Sequence, residues 1–331
     1  MNILVTGASG FVGVNLVDAL LARGHKVHAV STDAIPSAAI AAWAERARGL
    51  TEHCFDVRDA DALERLMRDA RIDALWHGAA ITAGPERELR DAATIIEVNT
   101  LAVVGALQAA SRAGVQRFVY PSSSAVYGET AFEGDGPVGE EEILRPSALY
   151  GITKVAAEQA VLHLGRRLGM TVCAGRINAV FGPWERDTGL RDTLSPHLQM
   201  AGLARDGREA VLAHHADRDW VYAPDVAQAF VIMLEAANPP AVAANITPGM
   251  LWPLELMATA LTQSKPNFRW RYAVAGEATN LRYGGPIDRP RRALSRARVE
   301  EAFGWTPAHT PAQACGHYVR WLATQVNDAR T

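Results

Sequence analysis

A chain of 331 residues, 49% apolar and 21% charged, can bury one large core or two smaller ones. Its 33 basic and 36 acidic side chains leave a formal charge of −3 with no single-sign run, which excludes a basic stripe for nucleic acid and a polybasic segment for anionic lipid. Three separated cysteines, Cys54, Cys173 and Cys315, lack zinc spacing; with no basic leader at Met1 and no apolar run of membrane-spanning length, a reduced, cytoplasmic protein is expected.

Short apolar runs rich in β-branched residues alternate with stretches of helical period. The first run, Ile3 to Thr6, leads through Gly7-Ala8-Ser9-Gly10-Phe11-Val12-Gly13 into a helix predicted over 11–23. Val12, Leu16 and Leu20 share one face of it, and Gly24 stands where a C-terminal cap belongs. Gly7 permits the tight turn, Gly10 lets the backbone approach a pyrophosphate, and Gly13 lets helix and strand pack closely, with the helix N-terminus aimed at negative charge. The spacing is one residue longer than the commonest dinucleotide fingerprint, and a plain strand-to-helix turn is the alternative.

A second strand, Val27 to Val30, runs into Ser31-Thr32-Asp33, without the usual carboxylate for an adenosine ribose. Ser31 tolerates a 2′-phosphate, but no arginine follows to bind one, and Asp33 is placed to reach the ribose; NAD is favoured and NADP is not excluded. The alanine-rich stretch 34–47 is predicted as a short helix. After a third strand region, Asp56-Val57 sits beside an adenine, or Asp56 opens a turn with Arg58 and Asp59. A helix over 61–70 precedes the strand Ala74 to His77. There Gly78-Ala79-Ala80 lets the chain pass close to a cofactor, or pack tightly.

A helix over 94–113 leads to the strand Phe118 to Tyr120. Behind it Ser122, Ser123 and Ser124 fall at the carboxyl edge of the sheet, where ligands bind in such folds. The helix predicted over 148–168 opens with Tyr150-Gly151-Ile152-Thr153-Lys154. Residues four apart project from one face, so phenol and ammonium share a pocket. Taking a proton from an alcohol needs a base, and moving a tyrosine from about 10 to near 7 corresponds to roughly 4 kcal/mol at 1.36 per unit. A lysine cation and an oxidised nicotinamide both favour that phenolate. Such a pair alone is more often a surface pair; here the serine cluster and the glycine loop stand in the right order.

The strand Val172 to Arg176 ends the regular pattern, and after Ile177 prolines from Pro183 to Pro290 break it. Runs apolar on both faces predict an α/β fold, a doubly wound parallel Rossmann sheet with helices on both sides and a smaller interleaved C-terminal substrate region. The dinucleotide-binding domain is placed at 1–177, with 215–246 returning to it, and the substrate region at 178–214 and 247–331.

Taken together these motifs resemble the extended short-chain dehydrogenase/reductase family, in its NAD-dependent epimerase/dehydratase branch, along nearly the whole chain. The resemblance is carried by the Thr6 to Gly13 loop, Asp56-Val57, Asn99, Ser122 to Gly128, Pro146-Ser147, Tyr150 and Lys154. It continues through Arg176-Ile177-Asn178, Gly182-Pro183, Arg218-Asp219-Trp220-Val221, Asp225-Val226-Ala227 and Phe303-Gly304-Trp305. It implies Tyr150 as acid/base, Lys154 as the group that lowers its pKa and binds the nicotinamide ribose, Ser123 as the hydroxyl that positions the substrate oxygen, and Asn99 as support. The implied cofactor contacts are Gly7, Ser9, Gly10, Phe11, Val12, Gly13, Ser31, Asp33, Asp56, Val57, Gly78, Ala79, Ala80, Asn99, Ser122, Tyr150 and Lys154. The implied substrate contacts are Ser123, Ser124, Asn178, Thr193, Arg218 and Arg289, with no metal. It also implies a homodimer through a four-helix interface, and Val103, Val104, Leu107, Val155, Val161 and Leu164 offer apolar surface for it.

Departures from the family pattern narrow the chemistry. Ser124 and Ala125 replace the Asp-Glu pair that dehydratases place after the catalytic hydroxyl, which disfavours dehydration. The nucleotide-holding stretches read Arg191-Asp192-Thr193-Leu194 and His214-His215-Ala216-Asp217-Arg218, so a smaller sugar-like substrate and an exchangeable cofactor are expected. Arg218 is suited to a phosphate or carboxylate, with Arg289, Arg291 and Arg292 as second cations; Trp184-Glu185-Arg186 lines the pocket or packs. The leading expectation is an oxidoreductase of a secondary alcohol. A UDP-sugar 4-epimerase and a non-catalytic NAD(P) sensor are the alternatives.

Overall fold

The computed structural model describes residues 1–214, 216–283 and 290–328. Eleven strands are formed among them: β1 (Asn2–Thr6), β2 (Lys26–Ser31), β3 (Leu50–Cys54), β4 (Ala74–His77), β5 (Arg117–Ser123), β6 (Thr171–Ile177), β7 (Val180–Phe181), β8 (Ala210–Leu212), β9 (Val221–Tyr222), β10 (Ala243–Ile246) and β11 (Trp270–Tyr272). The helices are α1 (Phe11–Ala22), α2 (Ser37–Trp43), α3 (Ala60–Asp69), α4 (Pro85–Ile96), α5 (Ala102–Arg112), α6 (Leu149–Arg167), α7 (Pro196–Arg205), α8 (Ala223–Glu235), α9 (Glu255–Ser264), α10 (Ala297–Phe303) and α11 (Pro311–Asp328).

Ile3, Leu4 and Val5 are all fully buried, as a strand covered on both faces requires. The seven-stranded sheet has the order β3-β2-β1-β4-β5-β6-β10, and every pairing in it is parallel. On one face Ile3 and Val5 pack with α1 and α8, where Trp76 and Phe230 meet edge to face at 5.5 Å. On the other, Leu4, Leu75 and Phe118 pack with Leu63, Leu107 and Val161 of α3, α5 and α6. A third core gathers around Phe181, whose ring stacks on His197 at 3.9 Å and joins α7, α9 and α11 to the β8–β11 pair.

The chain leaves β1 toward β2 and β3, then crosses back to β4, so the strand order reverses between β1 and β4. In open parallel sheets the crevice outside the carboxyl ends at such a reversal is where ligands bind. The glycine loop and Gly78-Ala79-Ala80 both open into it, closely enough that a Cβ on Gly7 would lie 2.8 Å from Ala79 backbone atoms.

Several elements differ from their sequence expectations. The single helix over 94–113 is two helices joined by a π turn, Glu97–Leu101, because Asn99 is drawn out of register to bond the loop after β4. The helix over 34–47 is α2 followed by a 3₁₀ turn, Ala44–Gly49. The closing segment does not keep to the substrate region: Val299 and Trp305 pack into the core between the sheet and α1/α8. By length and composition alone, Pro85–Arg112 is long and apolar enough to cross a membrane, contrary to the sequence reading. Its α5 half is packed on the sheet through Val103, Ala106 and Leu107.

Candidate active site

Helix α6 begins beside the serine-bearing end of β5, and the Glu88 carboxylate of α4 accepts the Tyr150 N–H at 3.3 Å. Tyr150 is in the first turn, half-buried; Lys154 is one turn on and buried. Lys154 Nζ donates to the Pro121 carbonyl at 2.8 Å and lies 4.7 Å from the Tyr120 ring centre and 5.7 Å from that of Tyr150. Burial pushes its ammonium down to about 7, against the opposing pull of Glu158. His77, bonded to the Thr6 hydroxyl at 3.1 Å, is pushed down to about 3 by burial and then by Lys154.

Burial raises the Tyr150 phenol above its ordinary value; the Ser123 and Thr82 hydroxyls, hydrogen-bonded to it, and the Arg191 charge pull it back. The expected lowering by Lys154 is therefore not the arrangement of the protein alone, in which two hydroxyls and an arginine do this. Ser123 also accepts the Ala125 N–H at 3.1 Å, which fixes its hydroxyl at the mouth of the crevice. Asn99 is buried and brackets Ile81: it accepts the Ile81 N–H at 2.8 Å and donates to the Ile81 carbonyl at 2.9 Å. That grip sets the loop carrying Thr82, so Asn99 is a positioning residue. Neither Thr82 nor Arg191 has a motif of its own; Thr82 is distinguished only by standing two residues past Gly78-Ala79-Ala80.

The residues around the crevice fit a dinucleotide. Among the described residues no side chain caps α1 and no acid lies in its first turn, which leaves that helix N-terminus suited to a negative charge. The Ser122 hydroxyl is buried and has no partner among the described residues. Ser31 points inward: its oxygen accepts the Ser9 N–H at 2.9 Å and donates to the Val30 carbonyl at 2.8 Å, bracing the glycine loop. Asp33 is exposed beside Arg186, which donates to the Ser9 carbonyl at 3.1 Å. The Asp56 carboxylate is taken up by Arg58, as the turn reading had it, and Val57 is in the core.

The three loop glycines are not equivalent. A Cβ at Gly13 would lie 2.2 Å from the Gly7 carbonyl, and Gly7 itself has φ +66°. At Gly10 the nearest atom is 3.1 Å away and φ is an ordinary −74°. Gly13→Ala is therefore expected to cost about 1–3 kcal/mol of stability or more. Gly10→Val should leave the protein folded at a smaller cost in melting temperature than Gly13→Ala and lose NADH binding, read by fluorescence titration.

On the far side of Ser123, Arg291 Nη2 donates to the Ser124 hydroxyl at 3.3 Å. Burial, then the neighbouring Arg218, pushes its guanidinium down to about 10. Arg218 is buried as well, and Asp219 lies against Arg291. Arg292 turns away, bonding Gly136 and Glu142, and His214 stacks on Tyr272 at 4.6 Å. Asn178 is buried, its N–H given to the Ile246 carbonyl, while Thr193 is half-buried before α7. Arg289 and His215 lie outside the described residues.

A 3-beta-hydroxysteroid dehydrogenase from Mycolicibacterium neoaurum is 36% identical over 193 residues, 55% of this chain and 48% of its own. The chain thus spans about half the length of the hydroxysteroid dehydrogenases it matches. A UDP-glucose 4-epimerase from Azospirillum brasilense is 28% identical across 93% of this chain and 88% of its own. The crystal structure of a Thermus thermophilus UDP-glucose 4-epimerase complexed with NAD superposes with a TM-score of 0.76 at 26% identity, covering 97% of this chain and 98% of that one. The sequence profile of the NAD dependent epimerase/dehydratase family matches residues 3–246. Because that match runs from the first strand of the central sheet to its last, the chain belongs to the NAD dependent epimerase/dehydratase family.

Proposed function

We propose that the protein oxidises or reduces a secondary alcohol of a sugar-like substrate that carries an anionic group, with NAD as hydride carrier. The observation that carries this reading is the meeting of Tyr150, Ser123 and Thr82 hydroxyls at the crevice where the strand order reverses, with Arg291 on Ser124 beside them. Gly7 to Gly13, Gly78 to Ala80 and Ser122 would hold the cofactor. When bound, its nicotinamide takes the hydride leaving the carbinol carbon, or returns it.

In oxidation, the Tyr150 phenolate takes the hydroxyl proton of the alcohol while the carbon–oxygen double bond forms, and Ser123 holds the same oxygen by a hydrogen bond. Lys154, whose ammonium burial pushes down to about 7, would hold its proton more firmly once the phenolate stands beside it as a countercharge. Arg218 and Arg291 would take the substrate's carboxylate or phosphate away from the reacting carbon, a bidentate grip suited to either. Incubating the protein with NAD and free sugars, sugar acids and sugar phosphates should raise the NADH band for an anionic member of the panel.

A second reading is favoured by the same two arginines, since paired guanidiniums also suit a diphosphate, and by the similarity to UDP-glucose 4-epimerases. Epimer formation from a UDP-sugar without bulk NADH would select it. NADH binding with no turnover on either panel would leave the sensor reading.

We also propose a homodimer, through different residues from those expected. Val103, Leu107 and Val161 are consumed by the core, whereas Leu89, Ile96, Leu101 and Ile152 of α4, the π turn and α6 are exposed, Leu101 to 60%. Leu101→Glu is expected to halve the mass seen by light scattering at micromolar concentration; a wild-type monomer would count against the dimer.

A further inference from the structure

The segment 184–193 crosses the mouth of the crevice as a strap. On one side Arg186 bonds the Ser9 carbonyl at 3.1 Å. On the other, the strap pairs with the loop after β4: Thr82 N–H to the Leu190 carbonyl at 2.8 Å, Asp192 N–H to the Thr82 carbonyl at 3.2 Å, and Gly84 N–H to the Asp192 carboxylate at 2.6 Å. Arg191, between these ties, has its guanidinium carbon 5.5 Å from the ring centre of Phe11, the first residue of α1.

The cradle beneath the strap lacks cations. Residues 6–13 and 78–84 contain no lysine or arginine. A helix N-terminus supplies only about half a positive charge, against two negative charges on a pyrophosphate. The strap brings two arginines to that place. An ion pair with Glu185 does not account for Arg191. The buried Glu185 carboxylate already accepts the N–H and hydroxyl of Ser195, and Arg191 meets it through Nη1 at 3.1 Å. That contact anchors one edge of the planar guanidinium and leaves its other donors for a second anion.

We propose that Arg191, assisted by Arg186, clamps the pyrophosphate of the dinucleotide, so that the strap closes on the cofactor rather than on the substrate. This rests on the reading that NAD occupies the crevice. It assigns the charge that the glycine loop itself does not supply, and it makes the cofactor the ligand that holds segment 184–193 down.

The test measures NADH affinity by fluorescence, with ADP-ribose as competitor, for the whole protein and for Arg191→Met, Arg191→Lys and Arg186→Met at low and high ionic strength. Arg191→Met should weaken NADH and ADP-ribose alike by about 10- to 100-fold, the worth of a charged hydrogen bond. It should also flatten the salt dependence of binding, which Arg191→Lys should largely keep; a merely structural arginine would not move that slope. In the unaltered protein NADH should slow tryptic cleavage after Arg186 and Arg191, a readout that survives if a variant fails to fold. Unchanged NADH affinity and salt dependence in Arg191→Met, or a rise confined to substrate KM, would overturn the proposal and hand the arginine to the substrate. Failure of the unaltered protein to bind NADH would instead overturn the cofactor reading, and this inference with it.

Discussion

Tyr150→Phe should lower turnover by about 10²- to 10⁴-fold, the usual worth of a positioned acid/base, while NADH affinity stays near that of the parent. The substitution removes one oxygen and leaves the ring that lies 5.7 Å from the Lys154 ammonium. The pH profile distinguishes loss of a base from loss of packing. Oxidation of the alcohol needs the phenolate, which burial disfavours and Ser123, Thr82 and Arg191 favour. In the parent, log kcat/KM for oxidation should therefore climb with pH as the phenolate population grows, and in the Phe variant that climb should vanish. Normal turnover in the variant would move the base elsewhere.

The second large effect is on stability and has the opposite sign from the effect on activity. Lys154→Met should abolish turnover yet raise the melting temperature of the cofactor-free protein by several degrees. Burial pushes the lysine down to about 7 from its ordinary 10.5, so between those values the unfolded chain binds more protons. Stability from this residue must then rise with pH across that window. At neutral pH the burial costs on the order of 4 kcal/mol at 1.36 per unit. Loss of the bond to the Pro121 carbonyl takes back about 1 kcal/mol. The gap in melting temperature between variant and parent should be widest at and below pH 7 and narrow toward pH 10. A variant less stable than its parent at pH 7 would mean that the amine is held by partners stronger than that one carbonyl.

The parallel sheet was legible because its strands are apolar on both faces, and α1 because Gly24 closes it in the left-handed region with φ +76° after a clean apolar stripe. The glycine loop and the Tyr150–Lys154 turn were legible because each is local: a few residues in fixed spacing determine where their atoms point. What escaped is what depends on distant segments. Thr82 reaches Tyr150 only because Asn99 grips Ile81 across a π turn, and no local period announces such a turn. Arg191 reaches the first residue of α1 from 180 positions away, by way of a strap whose sequence reads as loop. Ser31, expected among the cofactor contacts, braces Ser9, since a short hydroxyl at a strand end bonds the nearest backbone. The closing Trp305 falls in the segment expected to form the substrate region and joins the core that α1 and α8 share with the sheet, since sequence position does not reveal which core a distant side chain enters.

That last arrangement has a consequence for the order in which the protein is made. The core on that side of the sheet, which α1 enters, is completed by α8 and Trp305, both of which emerge long after α1. At ribosomal rates of about 5–20 residues per second, the interval between the end of α1 and the start of α8 is roughly 10–40 s. During synthesis the nascent chain therefore carries an open apolar face, with Leu16, Leu20 and Trp76 awaiting partners, for far longer than collapse takes. A chain released before α8 would keep that face uncovered, a template for association with its own kind.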